Sequence, residues 1–200
     1  MADSELKVQL LLTGNEIMSG DTVDSNSALI AQRLGEVGIG VYRKVTVGDD
    51  VALLQTELAA MVATADLVIV NGGLGPTIDD LTAEILAAVA GVSLQEHPQA
   101  VAHLQQWCNK RNLELNAANF KQAMLPAGAS IVDNPVGSAV GFEMVLGDCR
   151  VICTPGVPSE LIAMMGDIVG TLAARLQRPP GRNILRLQTF GLGESTAQQI

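Results

Sequence analysis

The sequence is short of positive charge: 12 Lys and Arg stand against 21 Asp and Glu in 200 residues, for a formal net charge of −9. That balance excludes the broad basic surface through which proteins bind nucleic acid irrespective of sequence. An acidic protein that handles phosphates needs a local device, such as clustered backbone amides or a bound cation. Cysteine is also scarce. Cys108, Cys149 and Cys153 are odd in number, and none forms the CxxC spacing of a structural zinc site, so they read as reduced, mostly buried thiols. No apolar run approaches the roughly 18 residues of a membrane span, and MADSELK leads into a short strand-like run rather than a signal peptide. A cytoplasmic protein with no membrane partner is expected. Internal repeats and low-complexity tracts are absent.

What is present is apolar patterning. At 48% hydrophobic residues the chain is able to bury the core of one ordinary domain. Leu6–Thr13 is a near-continuous apolar run ending at Gly14, whereas Asn26–Leu34 repeats its apolar positions at helical spacing. The alternation recurs: Val41–Val47 precedes a helix over Val51–Thr64, and Leu67–Val70 precedes another over Asp79–Ala90. The pattern predicts an α/β fold with a mostly parallel sheet covered on both faces. Pro98–Ala123 reads as helical. Ser130–Val132, Gly141–Leu146 and Arg150–Thr154 read as short strands, the last two joined at Gly147 and Asp148 into an antiparallel pair at a sheet edge. A long helix over Ser159–Leu176 stops before Pro179, Pro180 and Gly181. The domain is therefore expected to span residues 1–178, with a linker at 179–183. Residues 184–200 then read as a strand, Ile184–Phe190, and a helix start at Ser195 and Gln198 that belong to the beginning of a truncated following domain.

Residues 71–84, NGGLGPTIDDLTAE, sit between a strand and a helix, at the edge of a parallel sheet where ligands gather. Gly72, Gly73 and Gly75 allow a tight bend and close approach of a ligand to the backbone, while Thr77 is suited to cap the next helix, whose free amides accept an anion. Asp79 and Asp80 are placed in that helix's first turn, where the dipole stabilises carboxylates without any further role. A second acidic pair, Asp49 and Asp50, follows the Val41–Val47 strand and should emerge at the same edge. Carboxylates from two loops beside a phosphate loop repel each other unless a divalent cation lies between them, and Mg²⁺ is commonly held by one or two carboxylates plus phosphate oxygens. The stretch matches neither GxxxxGK[ST] nor GxGxxG.

Three more stretches fall where strands meet loops, and each reads either as a turn and cap or as part of a ligand-lined rim. Residues 13–26, TGNEIMSGDTVDSN, carry Glu16, Asp21, Asp24 and Asn26. Residues 134–142, NPVGSAVGF, offer Asn134, Gly137 and Ser138. Residues 154–160, TPGVPSE, place Pro155, Gly156 and Pro158 before a helix that Ser159 is suited to cap. Lys121 is one of few cations available to an anionic ligand, although a solvated charge is the plainer reading. His97 and His103 read as surface histidines with no metal or catalytic partner. Met164 and Met165 read as core or interface filler.

These stretches, with NFKQAMLP and TFGLGES, resemble in order and spacing the N-terminal domain of the competence/damage-inducible CinA family, itself related to the molybdopterin-binding MoaB and MogA proteins. The resemblance runs from about residue 6 to the end. It implies a three-layer α/β/α fold of the MogA type, a homo-oligomer (dimer or trimer), and divalent-metal-dependent hydrolysis of ADP-ribose to AMP and ribose 5-phosphate, with Mg²⁺ as the metal and Mn²⁺ or Co²⁺ as alternatives. By the same resemblance Asp49 and Asp80 are metal ligands. Asp80, Asp79 and Glu16 are the expected catalytic group. Gly72, Gly73, Gly75, Thr77, Asn26, Lys121, Asn134, Gly137, Ser138, Pro155 and Gly156 are expected to contact a nucleoside diphosphate substrate. Full-length members carry a linking domain and a nicotinamide mononucleotide deamidase domain, and the latter is not expected here. The family often has Gly-Asp-Glu where this chain has Gly14, Asn15 and Glu16, and Ala-Pro-Gly-Phe where it has Ala139, Val140, Gly141 and Phe142, which removes a charge and loosens a turn. Two other readings use the same residues: a molybdopterin or nucleotide binder of molybdenum-cofactor type, and a catalytically silent oligomerisation module.

Overall fold

The computed structural model describes residues 6–175 together with Phe190. The expected linker at 179–183 and the following segment at 184–200 lie outside the described residues, Phe190 apart. The chain opens with β1 (Val8–Thr13), the one-turn α1 (Asn15–Met18) and α2 (Asn26–Glu36). It continues through β2 (Val41–Val47), α3 (Val51–Val62), β3 (Leu67–Asn71) and α4 (Thr82–Ala90). Next come β4 (Leu94–Glu96), α5 (Pro98–Lys110), α6 (Ala117–Phe120) and a 3-10 turn at Lys121–Ala123. β5 (Met124–Pro126), β6 (Ser130–Val132), β7 (Gly141–Leu146), β8 (Cys149–Thr154) and α7 (Pro158–Arg175) complete it.

Six strands form one sheet in the order β2-β1-β3-β8-β7-β6, parallel from β2 to β8 and antiparallel across β7 and β6. Period-two alternation assigns each strand residue a face. Val8, Leu10, Leu12, Leu67, Ile69 and Ile152 pack under α2 and α7 with Ile30, Leu34, Leu161 and Met165. Leu11, Val68, Val70, Val151 and Cys153 pack under α3, α4 and α5 with Leu58, Met61, Leu86 and Leu104. The result is the expected three-layer α/β/α sandwich, with Met164 and Met165 fully buried in its core. β2 and β3 flank β1 on opposite sides, so the crossovers diverge there and leave a crevice at the carboxyl ends of β1 and β3.

Several expectations need correction. The antiparallel β7–β8 pair exists, turned by Gly147 at φ 61, but β6 adds outside it and is the edge strand, while β8 lies in the middle against β3. The helical run at 98–123 breaks: Asn112 takes φ 52, and Asn116 then accepts the Asn119 amide at 2.9 Å to cap α6. β4 and β5, unanticipated, pair antiparallel and close the base of this excursion. α4 begins at Thr82, so Asp79 and Asp80 precede the helix and Thr77 does not cap it. Local side-chain bonding competes with helix there: Asp80 Oδ2 accepts the Thr77 amide at 2.8 Å and hydroxyl at 2.7 Å, and the Thr82 hydroxyl reaches Gly72 O at 2.7 Å. Ser159 lies inside α7, behind Pro158 in the first helical position, so it caps nothing. His103 is half-buried, with Nε2 at 3.0 Å from Gly137 O, and His97 is half-buried as well; neither is a free surface histidine. All three cysteines are free and buried, as expected.

Candidate functional site

The loops that follow β1, β2, β3 and β8 enclose a cleft of ≈ 680 Å³ at the crevice. Its floor is a buried amide network. Asn71, at the end of β3, donates from Nδ2 to Pro155 O at 2.7 Å and to the Thr154 hydroxyl at 3.1 Å, and its Oδ1 accepts from Asn26 Nδ2 at 2.9 Å. Asn26 Nδ2 also donates to Gly156 O at 2.7 Å. A carbonyl only accepts, so Pro155 and Gly156 fix which end of each amide is nitrogen. Asn26 Oδ1 is consequently left buried with no partner.

The glycine loop forms one wall. Gly72 has φ 111 and Gly73 φ 66, conformations that disfavour any side chain; a Cβ on Gly72 would lie 2.6 Å from Thr13 O. Gly75 leaves room for the Asp80 carboxylate, which a Cβ would approach to 2.5 Å. Among the described residues the amides of Gly73, Leu74 and Gly75 donate to no protein acceptor, a nest of the kind that binds anions. Behind the loop, Lys121 Nζ donates to Asp80 O at 2.6 Å and Thr77 O at 2.8 Å and pairs with Glu84 at 3.3 Å, while Gln122 Nε2 holds Leu74 O at 3.2 Å.

The two acidic pairs divide between structure and cleft. Asp50 caps α3 through the Leu53 amide at 2.8 Å, whereas Asp49 lines the cleft and accepts from the Thr13 hydroxyl at 2.8 Å and the Asn15 amide at 3.1 Å. Asn15 Oδ1 accepts the Asp49 amide in return, at 3.1 Å, so the two residues are bonded in both directions. Glu16, Asp79 and Asp80 line the same cleft, as do Gly72, Gly73, Gly75, Thr77, Asn26, Ser138, Pro155 and Gly156. Lys121, Asn134 and Gly137 are outside its lining: Lys121 backs the glycine loop, and Asn134 is fully buried. Asp24 lines it, as the rim reading of residues 13–26 allows, whereas Asp21 does not; Thr13 and Glu160 line it without having been singled out for it, although the TPGVPSE stretch contained the signal for Glu160 in its last letter. Burial works against the Asp24 carboxylate, but hydrogen bonds from the Ser27 hydroxyl and amide and the charge of Lys44 outweigh it and hold the pKa below its ordinary 3.8.

Among the described residues no group of three or more His, Cys, Asp or Glu lies close enough to hold a metal ion. Both Asp49 oxygens already accept hydrogen bonds, whereas Asp80 has only Oδ2 so engaged. Such a donor set fits a Mg²⁺-like ion that draws most of its ligands from phosphate oxygens and water and one or two from carboxylates. None of the helices is long and apolar enough to cross a membrane, among the described residues.

Comparison with known proteins places this cleft in context. The family model described as a probable molybdopterin binding domain matches residues 9–174. A CinA-like protein of Colwellia psychrerythraea is 54% identical over 195 residues, 97% of this chain and 45% of its own. A nicotinamide-nucleotide amidohydrolase, PncC, of Shewanella oneidensis is 40% identical over 191 residues, 95% of this chain and 45% of its own. The chain thus spans about half the length of the curated relatives it matches. Among solved structures, CinA of Thermoplasma acidophilum superposes with a TM-score of 0.76 at 33% identity, covering 83% of this chain and 98% of that one. MoaB of Thermus thermophilus superposes at 0.55 with 17% identity over 88% of this chain and 99% of its own, a likeness of fold alone.

Proposed function

Because the chain belongs to the molybdopterin-binding-type domain family, among its CinA-like members, we propose that its cleft binds a nucleoside diphosphate sugar and hydrolyses the diphosphate, with ADP-ribose giving AMP and ribose 5-phosphate. The observation that carries the reading is the convergence, in one cleft, of the unpaired Gly73, Leu74 and Gly75 amides with the Asp49 and Asp80 carboxylates from separate loops. Amides preset toward developing charge stabilise a phosphoryl transition state without reorganising. Glu16 or Asp79 orients a water and takes its proton as the water oxygen bonds to one phosphorus, and the bridging oxygen departs with the other phosphate. Asp49 and Asp80 would be the residues to hold a divalent cation, which would supply neutralisation of the phosphate charge. Incubation with ADP-ribose and Mg²⁺, Mn²⁺ or Co²⁺ should release AMP; a folded protein that releases none with any of the three removes the proposal.

The family description supports a second reading, a binder of molybdopterin or nucleotide through the same loop. A rise in melting temperature with molybdopterin and none with ADP-ribose would select it.

A further inference from the structure

Glu160 is a cleft carboxylate that the proposed hydrolysis leaves unused, and its neighbours hold it in one pose. It lies in the first turn of α7. Asn134 donates from Nδ2 to Glu160 Oε2 at 2.8 Å and to Ala139 O at 2.7 Å, while its Oδ1 accepts the amides of Val136 at 3.1 Å and Gly137 at 3.0 Å. Two backbone amides and one carbonyl therefore fix the Asn134 side chain with its nitrogen toward Glu160. Gly137 completes the seat, because a Cβ there would overlap the Glu160 carboxylate. Among the described residues Glu160 pairs with no Lys, Arg or His, and its Oε1 receives no hydrogen bond. A carboxylate left without a countercharge repels phosphate and accepts from hydroxyl and amino groups.

A second acceptor belongs to the same β8–α7 side. Asn26 is bonded to Gly156, four residues before Glu160, and its Oδ1 is buried and unpartnered in a side chain only 8% exposed that lines the cleft. The adjoining glycine loop, whose Gly72 amide donates to Thr154 O at 3.0 Å, offers donors, the amides of Gly73, Leu74 and Gly75. The cleft thus presents both donors and acceptors, and a ligand that matches it carries a phosphate together with hydrogen-bond donors.

We propose that this side is an acceptor subsite for the hydroxyl groups of a sugar phosphate, received by Glu160 Oε1 and Asn26 Oδ1. The proposal rests on the diphosphate reading of the glycine wall and adds which part of the ligand lies where. Asn134 and Gly137, expected to touch substrate, act instead by seating Glu160.

Calorimetric titration of wild type, Glu160→Ala and Glu160→Gln with ribose 5-phosphate, AMP and inorganic pyrophosphate tests it. Glu160→Ala should weaken both sugar phosphates about 10-fold, the scale for losing a hydrogen bond to a charged group, and leave pyrophosphate within about twofold. Glu160→Gln, which keeps an acceptor oxygen, should lie between. Should the Ala variant fold poorly, 2′,3′-dideoxy-AMP on the wild type should show the same loss against AMP. Unchanged sugar-phosphate affinity, an equal loss for pyrophosphate, a loss confined to AMP, or no sugar-phosphate binding by wild type overturns the subsite. Glu160-dependent binding without ADP-ribose turnover would remove the hydrolase and leave the subsite; turnover with KM unchanged in Glu160→Ala would do the reverse.

Discussion

The ammonium of Lys121 lies 2.6 Å from the carbonyl oxygen of Asp80, so a residue 41 positions downstream fixes the backbone of the loop that bears the cleft carboxylate. The second bond, to Thr77 O, and the ion pair with Glu84 make it a three-point latch. Lys121→Met removes two charge-assisted hydrogen bonds of about 1.5–3 kcal/mol each in principle. Partial exposure of the side chain reduces this to about 1–2 kcal/mol. Urea unfolding should show that loss, with Lys121→Arg recovering part of it, and ADP-ribose hydrolysis should fall with the Met variant. A Met variant as stable and as active as wild type would mean the latch is idle.

Gly72→Ala should be far more damaging than any surface glycine change. Its φ of 111 is hostile to a side chain, and the new Cβ would meet Thr13 O, a backbone atom that cannot swing away. A loss of at least about 2 kcal/mol is expected, along with loss of pyrophosphate binding. Gly20→Ala, with φ 82 but open space around it, provides the comparison: strain without collision. Equal melting temperatures for the two variants would contradict the collision.

Asp49 and Asp50, neighbours in sequence, should separate cleanly in experiment. Asp50→Ala removes the α3 cap and should destabilise by about 1 kcal/mol, leaving pyrophosphate affinity alone. Asp49→Ala frees the Thr13 hydroxyl and the Asn15 amide beside the nest and should lower turnover about 10- to 100-fold, the range for lost orienting groups. Thermal melts and steady-state rates on both variants decide; a large rate loss in Asp50→Ala would reverse the assignment.

That division was only half legible in the sequence. VGDD places both carboxylates at a strand end, but which one caps the helix depends on a single backbone turn between them. Strand β1 and helices α2 and α3 were readable because their apolar spacing is long and regular. The start of α4 was not, since Pro76, Thr77 and Asp80 look like an ordinary helix entrance until Asp80 folds back on Thr77. Lys121 and Asn134 could be picked out as polar residues near the site, yet their partners lie 41 and 26 residues away, at Asp80 and Glu160, and composition holds no record of such pairings. β4 and β5, three residues each, are too short to show a period and exist only through each other.

The buried thiols weaken the fold at alkaline pH. Burial first, then the nearby Asp66 carboxylate, pushes Cys149 from its ordinary 9.0 to about 11, and burial drives Cys153 higher still. Both therefore stay protonated in the folded chain over a range where the unfolded chain ionises. Their folded pKa values are raised, so their contribution to stability is complete below pH about 8.5, the ordinary thiol range, and is lost as pH rises toward about 11 for Cys149. Urea unfolding between about pH 7 and about pH 10.5 should show a plateau followed by a decline. In a Cys149→Ala, Cys153→Ala double variant that decline should be shallower, because the unfolded state no longer gains by shedding those protons. The difference between the two curves, rather than either slope, reports the thiols. Parallel curves would mean that the thiols ionise as readily in the folded core as in water, which their burial at 1% and 0% exposure opposes.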